Sequence, residues 1–254
     1  CTVMVTTRSP ARTAMLDLRL PRPEDRVPAD MYRAARGWLL ANDPDAPRMI
    51  EWSLNGTRPP MNAEDMACEV IWIILCAGRS AQAARTIEAK VFRAIRAGEP
   101  VVTAFGYRAK AAAIERAWRE READFMTLQD TLSTGDVVQL LEWCRGIPFV
   151  GEVTKYQLAK NFGAAVCKPD LWLARLCGIP DRPVVPSGVR FQACMALCDS
   201  LARATGDSIP VVDSVLWLAC NKGVLVTDCN AAAVALNTKP APPRSIYEAG
   251  RASS

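Results

Sequence analysis

The chain has 254 residues, of which 50% are hydrophobic and 23% are charged, and its formal net charge is +4. This length and apolar content are sufficient for a full hydrophobic core, and the longest apolar run, residues 70–77, is far too short to span a bilayer. Histidine is absent, which excludes Ser-His-Asp and Cys-His nucleophile pairs and every histidine metal site. A general base in this chain must therefore be Asp, Glu, Lys, Tyr or a thiolate.

The ten cysteines do not form a metal-binding pattern. No CxxC pair occurs, so neither a zinc site nor an iron–sulfur cluster is indicated. The N-terminal segment lacks a cationic region followed by a long apolar one, so no secretory signal is expected. The cysteines are therefore interpreted as buried free thiols in a core.

Helical patterns begin after a lead that is rich in proline and arginine. Asn62 followed by Asp65 resembles a capping box that opens the first core helix, and Gly78 ends this helix. Ser80 is expected to open a second helix that ends at Gly98. Both helices place apolar residues at helical spacing, which is typical of a buried face.

Further helices are predicted downstream. One spans roughly 108–121 and another spans 134–144. A short helix is expected to begin with Pro169 in its first turn, and a longer helix follows Ser187. Asp213 is interpreted as the N-cap of the last helix.

No segment shows a period-2 pattern that is long enough for a strand. The β-prone runs at 101–103 and 224–226 are therefore interpreted as connectors. The predicted fold class is all-α.

The stretch GIPFVGEVTKYQLAKNFGAAVCKPD, residues 146–170, joins two predicted helices by a short turn. Gly151 stands where the second helix starts, and the free backbone N–H groups of such a helix start suit a DNA phosphate. Thr154 adds a hydroxyl in the first turn. Asp170 comes after the second helix, at the start of the next one, where the helix dipole favours a charged carboxylate.

This stretch resembles the helix-hairpin-helix and aspartate signature of the base-excision DNA glycosylase superfamily, which has the endonuclease III-like fold. The matching hairpin positions are Ile147, Pro148, Val150, Gly151 and Thr154. Asp170 matches the catalytic aspartate of the family. Residues 106–118 (GYRAKAAAIERAW) and 70–92 (VIWIILCAGRSAQAARTIEAKVF) are similar to upstream family segments. The resemblance covers about 61–178, with weaker agreement over 187–223.

The resemblance implies two helical lobes, a helix-hairpin-helix motif at 134–162 and a cleft between the lobes. The implied domains are an N-terminal lead with helices that pack against the C-terminal lobe (1–60), a helical lobe with the hairpin and the catalytic aspartate (61–174), a C-terminal helical lobe (175–237) and a loosely ordered tail (238–254).

The implied activity is hydrolysis of the N-glycosidic bond of a base that has been flipped out of the DNA stack. Asp170 would stabilise the developing oxocarbenium sugar and orient or deprotonate water. Family members that also cut the strand carry a Schiff-base lysine at the position of Val153. Lys155 lies about 200° around the helix from that position, so strand cleavage is not expected. Phe149 replaces the first hairpin glycine of the family.

The implied DNA contacts come from the hairpin and from basic residues outside it: Phe149, Gly151, Glu152, Val153, Thr154, Lys155, Arg79, Lys110 and Lys168. Trp143 and Trp172 flank the motif and are candidates for stacking on the base. Each assignment has a plain structural alternative. Asp170 could simply cap a helix, the arginine and lysines could be solvated, and the tryptophans could belong to the core.

The expected partner is double-stranded DNA, with no membrane and with a monomeric chain. No cofactor is expected, although the hairpin could bind a monovalent cation. The expected location is the cytoplasm, in association with the nucleoid, or the nucleus in a eukaryote. Two other functions stay open: a base-modifying transferase on the same base-flipping scaffold, and a noncatalytic helix-hairpin-helix module. The sequence does not identify the substrate base.

Overall fold

The structure is a computed structural model that describes residues 26–79, 81–182 and 184–237. These residues form helices and connecting turns without a β-strand, which confirms the all-α prediction. The α-helices, in chain order, are α1 (Ala29–Asn42), α2 (Ala46–Glu51), α3 (Ala63–Cys76), α4 (Ala81–Ala97), α5 (Val101–Phe105), α6 (Arg108–Arg119), α7 (Arg121–Ser133), α8 (Val137–Gly146), α9 (Thr154–Asn161), α10 (Leu171–Leu176), α11 (Ser187–Thr205), α12 (Ile209–Asn221) and α13 (Ala231–Asn237). A π-helical turn at Trp52–Gly56 extends α2.

Two of the predicted helix boundaries are confirmed by local geometry. The Asn62 side chain accepts a hydrogen bond of 2.8 Å from the Asp65 amide and so caps α3. Gly98 follows the end of α4 in the left-handed region, with φ of 68°. The predicted helix start at Ser80 and the loosely ordered tail at 238–254 lie outside the described residues.

Three of the predicted assignments were wrong. The run at 101–103 belongs to the short helix α5 instead of a connector. Helix α8 begins after Asp136, whose carboxylate caps it, and so starts three residues later than predicted. Helix α12 begins after Ser208, so Asp213 lies inside it and is not its N-cap.

Helix α7 was missed by the sequence analysis. Leu128 is its one buried residue. A helix with so few buried positions does not show the apolar stripe on which periodicity depends. Its sequence therefore gives no clear helical signal, although it closes one side of the core.

The buried residues form two hydrophobic clusters. The central core draws its buried members from residues 66–166. The terminal core combines residues 27–50 with residues 167–225, so the two ends of the described chain pack together. Met195 contacts both cores and lies between them.

Most cysteines of the described chain lie in these cores as free thiols, as expected, and Cys229 is exposed. Among the described helices, none combines the length and the apolar character needed to cross a membrane.

Candidate functional site

The chain crosses from one core to the other just before Asp170. Val166 is buried in the central core, and the next residue, Cys167, is buried in the terminal core. Asp170 follows three residues later and precedes α10, which packs into the terminal core. The aspartate singled out by the sequence therefore lies at the junction of the two cores.

One oxygen of the Asp170 carboxylate is held by the start of α10. Oδ1 accepts hydrogen bonds from the amides of Trp172 (2.9 Å) and Leu173 (3.2 Å). Asp170 is thus the N-cap, and Pro169 precedes the helix instead of occupying its first turn as predicted. Oδ2 accepts no hydrogen bond from any residue of the described chain. The cap fixes the carboxylate and leaves its second oxygen without a hydrogen-bond donor among the described residues.

Burial and two charged neighbours shift the pKa of the Asp170 carboxyl. Burial at the junction raises the pKa of Asp170, although the residue keeps partial access to solvent. The Lys168 ammonium opposes this effect, and the Asp213 carboxylate adds to it. An elevated carboxyl pKa suits a general base that works near neutral pH.

Asp213 forms an ion pair with Lys160 inside the protein. The two side chains are each 4% exposed. Asp213 also accepts a hydrogen bond of 3.2 Å from the Lys168 amide. The pair connects α9 to α12 and fixes the segment that leads to Asp170.

The sequence analysis missed this ion pair. One signal for it was present, because Asp213 interrupts the apolar run of VVDSVLWLA. A charged residue within an apolar helix needs a buried partner. The partner lies 53 residues away in sequence, so only the fold could identify it.

The hairpin turn connects α8 to α9, and α9 begins at Thr154. The four amides from Gly151 to Thr154 have no acceptor in the described part of the chain, as is usual at a helix start. Gly151 does not need to be glycine for the fold: a Cβ at this position would meet nothing within 4 Å, and its φ is not positive. A close approach from outside the molecule would explain a glycine here.

The charged side chains of the hairpin neutralise one another. Glu152 forms ion pairs with Arg145 and with Lys155, the latter at 3.0 Å. The two cations lower the pKa of Glu152 to about 2. Lys155 is buried, with its ammonium over the Tyr156 ring. Its burial and its ion pair with Glu152 do not favour the predicted contact of Lys155 with DNA.

Phe149 is in a backbone conformation that normally belongs to glycine. Its φ of 67° is the one positive value among the non-glycine residues of the described chain. A left-handed conformation costs a residue with a Cβ about 1–2 kcal/mol. The ring is 37% exposed, so burial does little to offset this cost.

Lys110 and Arg79 lie close to each other beside the C-terminal end of α3. Lys110 is 6% exposed, and its ammonium donates to the carbonyls of Ile74 (2.8 Å) and Ala77 (2.5 Å). It therefore caps α3. These hydrogen bonds do not favour the predicted contact of Lys110 with DNA. Arg79 is exposed, with its guanidinium 4.6 Å from the centroid of the Phe105 ring.

The two candidate tryptophans are not brought together. Trp143 packs against the central core and donates to the Thr127 hydroxyl at 3.0 Å. Trp172 packs against the terminal core, beneath the Arg175 guanidinium. These contacts are those of half-buried core residues.

Neither of the two best-formed pockets contains Asp170. The first, of about 250 Å³, lies between Pro59, α8 and Gly163. The second, of about 290 Å³, lies between α13 and Arg175. Asp170 is nevertheless the centre of the candidate site, because its carboxylate is held in place at the junction of the two cores.

Groups of three or more side chains that could hold a metal ion are absent from the described residues. The expectation of a cofactor-free protein stays a prediction. Comparison of the chain with protein-family models, curated proteins and solved structures gave no match, so its function has to be argued from its own residues.

Proposed function

We propose that this chain is a DNA glycosylase that hydrolyses the N-glycosidic bond of a flipped-out damaged or modified base and leaves the strand intact. The proposal treats the two cores as two helical lobes, with the helix-hairpin-helix motif in the central one and a cleft at their junction. The observation that carries it is the Asp170 carboxylate, which is fixed through one oxygen at that junction.

The reaction follows from the position of this carboxylate. Its negative charge stabilises the positive charge that develops on the sugar as the bond to the base breaks. Oδ2 accepts a proton from water, the water oxygen bonds to C1′, and the base leaves with the bonding electrons. The chain contains no histidine for this task.

The hairpin supports a role in holding the DNA backbone. Four successive amides of the turn have no acceptor among the described residues, and a Cβ at Gly151 would meet no atom within 4 Å. Amides at a helix start bind phosphate without the need for a cationic side chain. This agrees with a hairpin whose cations are already paired with Glu152.

Cleavage of the strand would require an amine that forms a Schiff base with the sugar. Val153 provides none, and the Lys155 ammonium is held by Glu152 at 3.0 Å. The expected product is therefore an abasic site in an uncut strand.

The test is a panel of duplex oligonucleotides that carry different lesions and natural modifications, analysed by mass spectrometry for released bases. Wild type is expected to release one class of base, and Asp170→Asn is expected to lose this activity, by at least about 100-fold. Asp136→Asn is the matched control, because the Asp136 carboxylate also caps a helix through two amides, at 2.8 and 3.4 Å. Equal activity in wild type and Asp170→Asn would contradict the proposal.

A second candidate is a noncatalytic helix-hairpin-helix module that binds DNA. It is favoured because neither of the two best-formed pockets contains Asp170. This candidate predicts DNA binding that is the same in wild type and in Asp170→Asn, with no released base from any oligonucleotide.

A further inference from the structure

A row of three aromatic rings extends from the hairpin turn, and its location suggests a second contact with nucleic acid. Phe149 and Tyr107 pair edge to face with their centroids 6.3 Å apart, and Tyr107 and Phe105 pair in the same way at 6.4 Å. Tyr107 is 50% exposed and Phe149 is 37% exposed. We call these three residues the aromatic row.

The conformation of Phe149 indicates that this ring has a use outside the fold. A glycine would adopt its left-handed backbone without strain. The phenylalanine keeps a strained backbone and a partly exposed ring, so the free protein gains little from it. Strain of this kind is found at positions that contact ligands.

The charges around the aromatic row favour an anionic partner. The exposed Arg79 guanidinium lies 4.6 Å from the centroid of Phe105. The Lys110 ammonium lies 5.7 Å from the centroid of Phe149 and adds positive charge there, although it is buried against the carbonyls of α3. A partner that combines flat aromatic surface with negative charge fits this arrangement, and a nucleobase attached to its phosphate has both properties.

The aromatic row and Asp170 each have a neighbouring lysine that lies near Cys76. Lys110, beside Phe149, and Lys168, beside Asp170, both lie close enough to Cys76 to oppose the rise in the pKa of its thiol.

We infer that Phe149 and Tyr107 stack on an unpaired nucleobase of the DNA strand that the hairpin holds. This inference rests on the proposed DNA-binding function and adds a preference for DNA that contains an unpaired base. It gives Phe149 a role that the glycine of the resembling family could not perform.

The test compares wild type, Phe149→Gly and Phe149→Tyr on two DNAs: a fully paired duplex and the same duplex with one bulged 2-aminopurine. Stacking on an aromatic ring is expected to quench the fluorescence of the bulged base and to make wild type prefer the bulged DNA. Phe149→Gly is expected to lose the quenching and to reduce the preference for bulged over paired DNA by at least about fivefold. Phe149→Tyr retains the ring and is expected to behave as wild type.

Thermal unfolding separates a binding role from a structural one. Phe149→Gly relieves the strained backbone, so its Tm is expected to be equal to or above that of wild type. A lower Tm together with weaker binding to both DNAs would overturn the inference in favour of a structural ring. Unchanged binding of Phe149→Gly to the bulged DNA would also overturn the inference. In that case, base release by wild type would still support the proposed function. If wild type binds neither DNA at low salt, both the inference and the proposed function fail.

Discussion

The two ends of α9 are built in opposite ways. At its start, Phe149 keeps a strained conformation and Gly151 has unused space around it, and neither feature helps the free protein to fold. At its end, Lys160 is buried in an ion pair and Gly163 packs against Pro59. The contrast teaches that this short helix is anchored at its C-terminal end, while its N-terminal end carries features that the fold itself does not use.

The largest effect on stability is expected from removing the buried ion pair between Lys160 and Asp213. Lys160→Met leaves the Asp213 carboxylate buried without its cation, which is expected to lower the free energy of unfolding by about 3–5 kcal/mol. Denaturation by urea, followed by circular dichroism, measures this change. The double variant Lys160→Met/Asp213→Asn removes both charges and keeps an acceptor for the Lys168 amide, so it should recover much of the loss. A loss below about 1 kcal/mol in the single variant would show that the pair is not an anchor.

A smaller loss of stability is expected from Gly163→Ala. The φ of Gly163 is 93°, and a Cβ at this position would lie 2.9 Å from Cδ of Pro59 and 3.2 Å from Cα of Arg58. Backbone strain and overpacking together are expected to cost about 1–3 kcal/mol. The same denaturation experiment measures it, and a variant as stable as wild type would remove the contrast between the two ends of α9.

Gly151→Ala is expected to leave stability nearly unchanged and to weaken the binding of DNA. Because a Cβ has space at this position, stability should change by no more than about 0.5 kcal/mol. The added methyl group would obstruct a phosphate at the hairpin amides, so affinity for duplex DNA should fall by about tenfold. Fluorescence anisotropy with a labelled duplex measures the affinity. Unaltered affinity would mean that the hairpin does not contact the backbone of DNA.

The smallest effect concerns the dependence of stability on pH at Asp170. Because the folded protein raises the pKa of this carboxyl, its contribution to stability is fully present below the unfolded pKa of about 3.9 and is lost as pH rises through the folded pKa. Asp170→Asn is neutral at every pH and can still cap α10. It should therefore match wild type in acid and be slightly more stable at neutral pH.

Thermal unfolding of both proteins across this pH range measures the difference, with Asp136→Asn as the control at an exposed cap. A wild type that becomes more stable than Asp170→Asn as pH rises would show that the pKa of Asp170 is lowered instead of raised. In the same range, base release is expected to increase with pH as the carboxyl ionises.

Features that depend on neighbours in sequence were predictable. The cap at Asn62 and the stop at Gly98 follow from a few adjacent residues, and both were found where expected. Asp170 was recognised as the start of a helix for the same reason. These features could be predicted from the sequence because capping and left-handed turns are local interactions.

Features that depend on distant partners were not predictable. Asp213 was interpreted as a cap because nothing near it in sequence reveals Lys160. Lys110 was predicted to contact DNA, with a solvated lysine as the alternative, whereas the fold places it against the carbonyls at the end of α3. Phe149 stood out in the sequence only as a missing glycine, and its strained conformation became visible in the structure.

The central claim is tested most directly by the mass of the DNA itself after incubation with wild type. For the best substrate in the panel, hydrolysis at Asp170 predicts an intact strand that has lost one base and gained a hydroxyl group, and that breaks only after treatment with alkali. Asp170→Asn should leave the same strand unchanged. A strand that gains mass without losing its base, or one that stays unchanged with every substrate although the protein binds it, would contradict the assignment of this chain as a DNA glycosylase.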